Sequence, residues 1–399
     1  MCSRFPHPLL YIVISLAICS GCGSGWSDVM AKQKLEPGSI PEIDSIVEKF
    51  MEKYDMPGLS LAIARNDSLL YVKGYGYADI SAQAEVTDSS LFRIGCLSQP
   101  ITAMAILKMA ELGKISLDEK VFGKEGILGN EYGNKPYDAR VNQITIKELL
   151  DHYAGWENDN NTTFVNTSFS DSQLLSLVLD SVPLQSAPGR NFNFSFLGYI
   201  VLGKIIEKVS GRPYAEYVHK EILDPVGDAD MKISGNRIED RQKNEVTHYV
   251  WTFLNHNYQG EPYSQNISEM QAACGWMGSA EDLIRLMVRV DKFRNKPDIF
   301  NDSMMNVLLS PYDSNSHFSG GWWSNNKFNN WFAVSSFWGS GTVSEMARAD
   351  NGYCWVMLTN KTPQHGGSDD DLDRMIWEII GDSAIRWPKK DLFQYNGNQ

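Results

Sequence analysis

Apolar residues at 43, 46, 47 and 50, set among charged ones, follow the period of a helix that buries one face, and Met56-Pro57-Gly58 ends it. The period then shortens. Leu59 to Arg65 and Leu69 to Gly76 are strand-like runs split by Asn66-Asp67-Ser68, the pattern of a hairpin. Ile101 to Leu112, rich in Ala, Met, Ile and Leu, predicts a buried helix stopping at Gly113. Helical spacing recurs in Ile146 to Leu150, Leu174 to Leu179, Leu197 to Val209, Ala215 to Ile222 and Leu283 to Val290. Strand patterns return at Trp331 to Ser335, Thr342 to Arg348 and Cys354 to Leu358, before a closing helix around Leu372 to Ile380. Strands at both ends of a helical middle predict an α+β fold. An α+β lobe drawn from about residues 41–115 and 320–390 would carry an inserted helical lobe over about 115–320, with the cleft between them as the default ligand site.

Near the N-terminus Arg4 precedes an apolar run from Leu9 to Ile18, and small residues follow. Residues 1–22 therefore read as a signal peptide, its apolar run being too short to span a bilayer, and 23–40, with Gly, Ser and Pro but no periodicity, as a tether. The expected location is secreted. The alternative is a lipoprotein anchored at Cys22, which is the one route to a membrane. Eight Asn-x-Ser/Thr sequons begin at Asn66, Asn160, Asn161, Asn166, Asn193, Asn266, Asn301 and Asn360, an excess that leans toward a glycoprotein. A formal charge of -13 argues against a nucleic-acid surface and favours a neutral or cationic ligand. Outside the signal region the cysteines are Cys96, Cys274 and Cys354, too few for a disulfide framework, though one pair and one free thiol is compatible. No His/Asp/Glu spacing suggests a metal site, and no cofactor is expected.

Several stretches, taken in order, resemble landmarks of the serine hydrolase family of class C β-lactamases and penicillin-binding proteins. They are Met56-Pro57-Gly58 into Leu59 to Arg65, Phe92-Arg93-Ile94-Gly95, Leu149-Leu150-Asp151-His152-Tyr153-Ala154-Gly155, Pro188-Gly189 to Gly198-Tyr199, Gly203 to Gly211, Ala273 to Leu283, and Leu358-Thr359-Asn360. The resemblance covers roughly residues 40 to 385. It implies a β-lactamase/transpeptidase-like fold, an antiparallel sheet flanked by helices plus the inserted helical lobe, in one domain over 41–390. It also implies acyl transfer: a Ser at a helix start attacks a carbonyl, a Lys three residues on takes its proton, and a Tyr from the facing lobe shuttles protons. Ser-x-x-Lys works because residues three apart share a helix face.

Each of the three motifs the resemblance calls for is degraded here. Cys96 occupies the nucleophile position and Gln99 the lysine position, and an amide cannot serve as a base. Ser98 matches the family's second, non-nucleophilic Ser, and its neighbour three residues on is Ile101. The Tyr-x-Asn motif aligns with Phe194 and Phe196, so the cleft floor should be more apolar and narrower. The nearest counterpart of the third motif is Trp338-Gly339-Ser340-Gly341-Thr342, with Trp338, Ser340 and Gly341 lining the expected cleft. Ser324-Asn325-Asn326-Lys327, Tyr132-Gly133-Asn134 and Lys361-Thr362-Pro363 mimic the motifs but fall in a hairpin, in a loop and after the last strand.

Two functions of different class follow. One is a pseudoenzyme that binds a small molecule or peptide in the cleft without proton-transfer machinery. The other is a cysteine acyl hydrolase or transferase using Cys96, since a thiol at a helix N-terminus has a lowered pKa. The rival needs a base, and only His152 lies in a landmark, where its counterpart is structural. His248, His256 and His317 read as exposed loop histidines, and His365 as part of a turn. Cys96 as a buried apolar residue, or bonded to Cys274 or Cys354, is the plainer alternative to a reactive thiol. Trp322, Trp323, Trp331 and Trp338 read as a hairpin packed on the core, with a ligand cleft as the alternative.

Overall fold

Pro41 opens helix α1 (Pro41–Tyr54), where a missing N–H costs nothing; the helix buries Ile43, Val47, Phe50 and Met51 and ends on the left-handed Asp55. This is a computed structural model, and it describes residues 39–156, 168–227, 230–252, 257–260, 266–293, 295–313, 316–325, 329–335, 341–363 and 367–394. Strands β1 (Gly58–Arg65) and β2 (Ser68–Asp79) meet at Asn66 and Asp67, both at positive φ, the geometry that matches the twist of a tight hairpin. Strand β3 (Ala84–Glu85) extends that edge, and β4 (Phe92–Arg93) leads to α2 (Ser98–Glu111). The helical span holds α3 (Ile146–Leu150), α4 (Asp171–Ser181), α5 (Phe196–Ser210) and α6 (Tyr214–Val218), with α6 continuing into one wide turn over His219–Leu223. Thr145 with Glu148 and Ser170 with Gln173 cap α3 and α4 reciprocally, satisfying two orphan donors at each start.

Short strands β5 (Lys232–Ile233), β6 (Tyr249–Thr252) and β7 (Asn257–Gly260) precede α7 (Gln271–Cys274), β8 (Trp276–Gly278), α8 (Ala280–Met287) and α9 (Asp302–Leu309). The chain closes with β9 (Phe318–Ser319), β10 (Trp322–Asn325), β11 (Asn330–Ser335), β12 (Ser344–Arg348), β13 (Tyr353–Thr359) and α10 (Ser368–Gly381).

The main sheet has eight strands in the order β3-β2-β1-β13-β12-β11-β10-β9. Its N- and C-terminal portions join where β1 pairs antiparallel with β13, Leu59 opposite Thr359. Both strands are buried along nearly their whole length, which is why each is a continuous apolar run. Ala347 and Trp355 pair across β12 and β13 on one face, where Trp355 meets Trp377 of α10. Arg348 points to the other face and donates to the carbonyl of Asp291, just after α8, so helices cover both sides. A second sheet, β4-β8-β5, carries the approach to Cys96. Among the described residues no helix is long and apolar enough to cross a membrane.

The hairpin, the middle helices and the closing strands agree with the sequence patterns to within a few residues. Helix α2 differs, starting at Ser98 and not Ile101; its residues are buried from 98 through 107, so no polar stripe marks its beginning.

Candidate functional site

Cys96 sits in a single tight turn, Gly95–Leu97, between β4 and α2. Gly95 is required there: its φ is +52°, and a Cβ would lie 2.2 Å from Ser335 Oγ on β11. The same hydroxyl accepts from Cys96 N–H at 3.2 Å. Although Cys96 retains some exposed surface, burial of its surroundings pushes the thiol up to about 12, with the contact to Ser335 only partly opposing the shift. The expected helix-terminus lowering is therefore reversed, because dehydration of a thiolate outweighs the field of a helix that begins beyond the turn. The disulfide that stood as an alternative for Cys96 is not formed, and Cys96, Cys274 and Cys354 are all free thiols.

Gln99 lies in the first turn of α2, 1% exposed, and its Oε1 is 3.2 Å from His152 Nε2. His152, also 1% exposed, accepts the backbone N–H of Ser195 on Nδ1 at 3.2 Å. An amide N–H can only donate, so Nδ1 must be bare and the proton must sit on Nε2, where it is donated to Gln99. Burial lowers the His152 pKa to about 3. The imidazole is thus neutral with both nitrogens committed. Its carbonyl accepts Asn193 N–H at 2.8 Å, so His152, at a left-handed φ of 64°, ties α2 to the segment before α5.

That segment supplies Phe194, whose ring lies 4.5 Å from the imidazole, and Phe196, buried and edge-on to Phe194 at 5.4 Å. Phe192, Tyr199 and Phe318 also surround His152, and Trp323 packs on Phe192 and Phe318. The surroundings of Gln99 are accordingly aromatic, and Gln99 Nε2 is buried without a hydrogen-bond partner among the described residues. Of the third stretch, Trp338 and Ser340 lie outside the described residues. Gly341, at φ +67°, abuts His248, since a Cβ there would lie 2.8 Å from the His248 Cβ.

His248 corrects the expectation of an exposed histidine. It is buried, and its Nε2 accepts Arg93 N–H at 3.1 Å, which supports the strand leading to Cys96; burial and nearby arginines hold its pKa well below the usual value. Arg93 itself pairs with Glu245 at 3.3 Å, both buried. His317 is exposed, as expected, whereas His256 and His365 fall outside the described residues. Trp322 and Trp331 are buried in the hairpin core. Two sequon asparagines are buried too: Asn266 donates to the Phe169 carbonyl, and Asn360 braces Gly58 N–H and the Tyr77 carbonyl. Cys22 lies outside the described residues. No group of three or more His, Cys, Asp or Glu among the described residues is placed to hold a metal. The contribution of Ser335, and the bond from His152 to Gln99, had no signal in the sequence beyond the Leu149-to-Gly155 landmark.

The family model described as Beta-lactamase matches residues 43–376. Protein flp of Staphylococcus aureus is 29% identical over 196 residues, 48% of this chain and 38% of that protein, so the chain spans well under half the length of this relative. Among solved structures, the octameric penicillin-binding protein homologue from Pyrococcus abyssi superposes with a TM-score of 0.70 at 21% identity, covering 85% of this chain and 77% of that one. FmtA from Staphylococcus aureus gives 0.67 at 18% identity, covering 91% and 96%. At such identities the likeness establishes the fold: the antiparallel sheet with flanking helices is β-lactamase and penicillin-binding-protein-like.

Proposed function

We propose that this chain, which belongs to the beta-lactamase family, is a non-catalytic member, a secreted pseudoenzyme that binds a ligand beside Cys96 without acylating on it. One observation carries the reading. The imidazole bonded to the lysine position donates from Nε2 to Gln99 and accepts on Nδ1 from Ser195, leaving no lone pair to take a proton from Cys96. General acid–base help is worth typically about 10²–10⁴-fold, and its loss falls on a thiol that burial already holds protonated. Phe194 and Phe196, aligned with the tyrosine and asparagine positions, supply ring surface and no proton shuttle. The net charge of -13 suits a neutral or cationic small molecule or peptide as the ligand.

Because a fold neighbour is a penicillin-binding protein homologue, penicillin is the natural probe. Reduced protein is treated with penicillin, a fluorophosphonate or a thiol alkylator and weighed intact. The reading expects alkylation at most, with no acyl adduct. A stoichiometric acyl adduct that disappears in Cys96→Ala would overturn it and establish the cysteine acyl hydrolase or transferase instead.

A further inference from the structure

The geometry points to a modification site: Cys96 and Cys274 form a disulfide when the folded protein meets a small-molecule disulfide. Strands β4 and β8 pair antiparallel, Phe92 opposite Gly278 and Arg93 opposite Met277. The pairing continues one step beyond the strands, where Ile94 N–H donates to the Trp276 carbonyl at 3.1 Å. The ladder ends there: Cys96 lies two residues further on, in the Gly95–Leu97 turn, and Cys274 two residues back, at the end of α7, and this turn and helix pack against each other. Burial pushes the Cys274 thiol upward, and Cys96 is near enough to add to that shift.

Cys354 is excluded as the partner. Its sulfur is 3.6 Å from Asp291 Oδ2. Ser335, which holds Cys96 N–H, pairs with Ser344, and Ser344 pairs with Leu358. Cys354 lies four residues further along β13, about 13 Å at the rise of a strand.

Cys96 keeps some exposed surface and Cys274 is buried, so Cys96 meets the oxidant first. Its thiolate attacks one sulfur of oxidised glutathione, forming a mixed disulfide and expelling one glutathione thiolate. The Cys274 thiolate then attacks the Cys96 sulfur, forming the internal disulfide and expelling the second. The two protons lost by the cysteines are taken up by the two leaving thiolates, and the oxidant is reduced by two electrons. Both thiols are held protonated, so the reaction is slow and accelerates with rising pH. Once formed, the bond withdraws Cys96 from any nucleophilic role. It does not depend on the non-catalytic reading, which is tested on reduced protein, so either can fail alone.

The test is peptide mapping without reduction after the full chain has been incubated with oxidised glutathione at mildly alkaline pH and capped with iodoacetamide. The expected product is a linked Cys96–Cys274 peptide that persists in Cys354→Ala, with a glutathione adduct on Cys96 accumulating only in Cys274→Ala. A glutathione adduct on Cys96 that accumulates equally in the parent, a link from Cys96 to Cys354, or two thiols that remain alkylatable would each overturn the inference.

Discussion

Replacing Gln99 by lysine installs the residue type that the sequence resemblance calls for at this position, and the geometry around it argues for damage, not revival. Gln99 Oε1 is the acceptor for His152 Nε2–H, and both residues are buried. The ring cannot reverse its roles, because Ser195 N–H needs Nδ1 as its acceptor. A lysine ammonium would therefore face a donor, in a box built from Phe192, Phe194, Tyr199 and Phe318 around the imidazole. Orphaning the histidine N–H costs about 1–3 kcal/mol. A buried charge left without its partner costs about 3–5 kcal/mol, part of which lysine escapes by shedding its proton. Gln99→Met removes the acceptor without adding charge and, because it also removes the unpartnered Gln99 Nε2, gives a lower bound on the first contribution. Urea denaturation of the three proteins, followed by tryptophan fluorescence, should rank the parent above Gln99→Met and Gln99→Met above Gln99→Lys, with no penicillin adduct on either variant. A Gln99→Lys protein as stable as the parent, and acylated at Cys96, would refute the reasoning.

Other expectations follow from the same contacts. His152 is held neutral, so the unfolded chain takes up a proton first as pH falls; the stability it contributes above the ordinary histidine value is lost as pH drops from about 6.5 toward about 3. Its imidazole NMR signals should remain those of a neutral ring down to about pH 5, and a titration midpoint above 6 would contradict this. Burial pushes Glu345 up to about 8, and its carboxyl accepts Trp355 Nε1–H. A raised acid stabilises the fold most below its unfolded pKa and loses that contribution as pH rises to about 8, so Glu345→Gln should gain stability relative to the parent above that pH, read from urea midpoints. Gly95→Ala places a Cβ against Ser335 Oγ at positive φ and should destabilise by about 2 kcal/mol or more, measured by the same denaturation. In a glycosylating host, glycopeptide mapping should find Asn266 and Asn360 unmodified, because both are buried and hydrogen-bonded; occupancy at either would mean that the modification precedes folding.

Much of this fold is legible in the chain because its larger elements carry a period. The β1–β2 hairpin has two apolar runs and a turn, and α10 has one apolar face, Leu372, Met375, Ile376 and Ile379. The β4-β8-β5 sheet does not announce itself, since strands of two or three residues have no period to read. The reading of degraded motifs comes from the residue types at Cys96, Gln99, Phe194 and Phe196. What they add up to is not visible, because the deciding bond joins Gln99 to His152, far apart in sequence, through a histidine in a left-handed backbone conformation that no local pattern signals. His248 departs from the expected exposed loop for a related reason. Its segment looks like a polar loop, yet Val246 N–H donates to the Leu91 carbonyl and Tyr249 N–H to the Asn360 carbonyl, fastening it into the core. The thiol of Cys96 follows its burial, which depends on β11 returning to cover it with Ser335.

The central claim is that no group among the described residues beside Cys96 accepts its proton, and the most direct measurement is the rate of iodoacetamide alkylation at Cys96 against pH, read by peptide mass in the reduced protein. The account predicts slow alkylation that climbs steadily through the alkaline range without a plateau near neutrality, and that is unchanged in shape when another residue is replaced elsewhere on the surface. A plateau of fast alkylation at or below neutral pH, abolished in His152→Ala, would show a working thiolate–imidazole pair and contradict it.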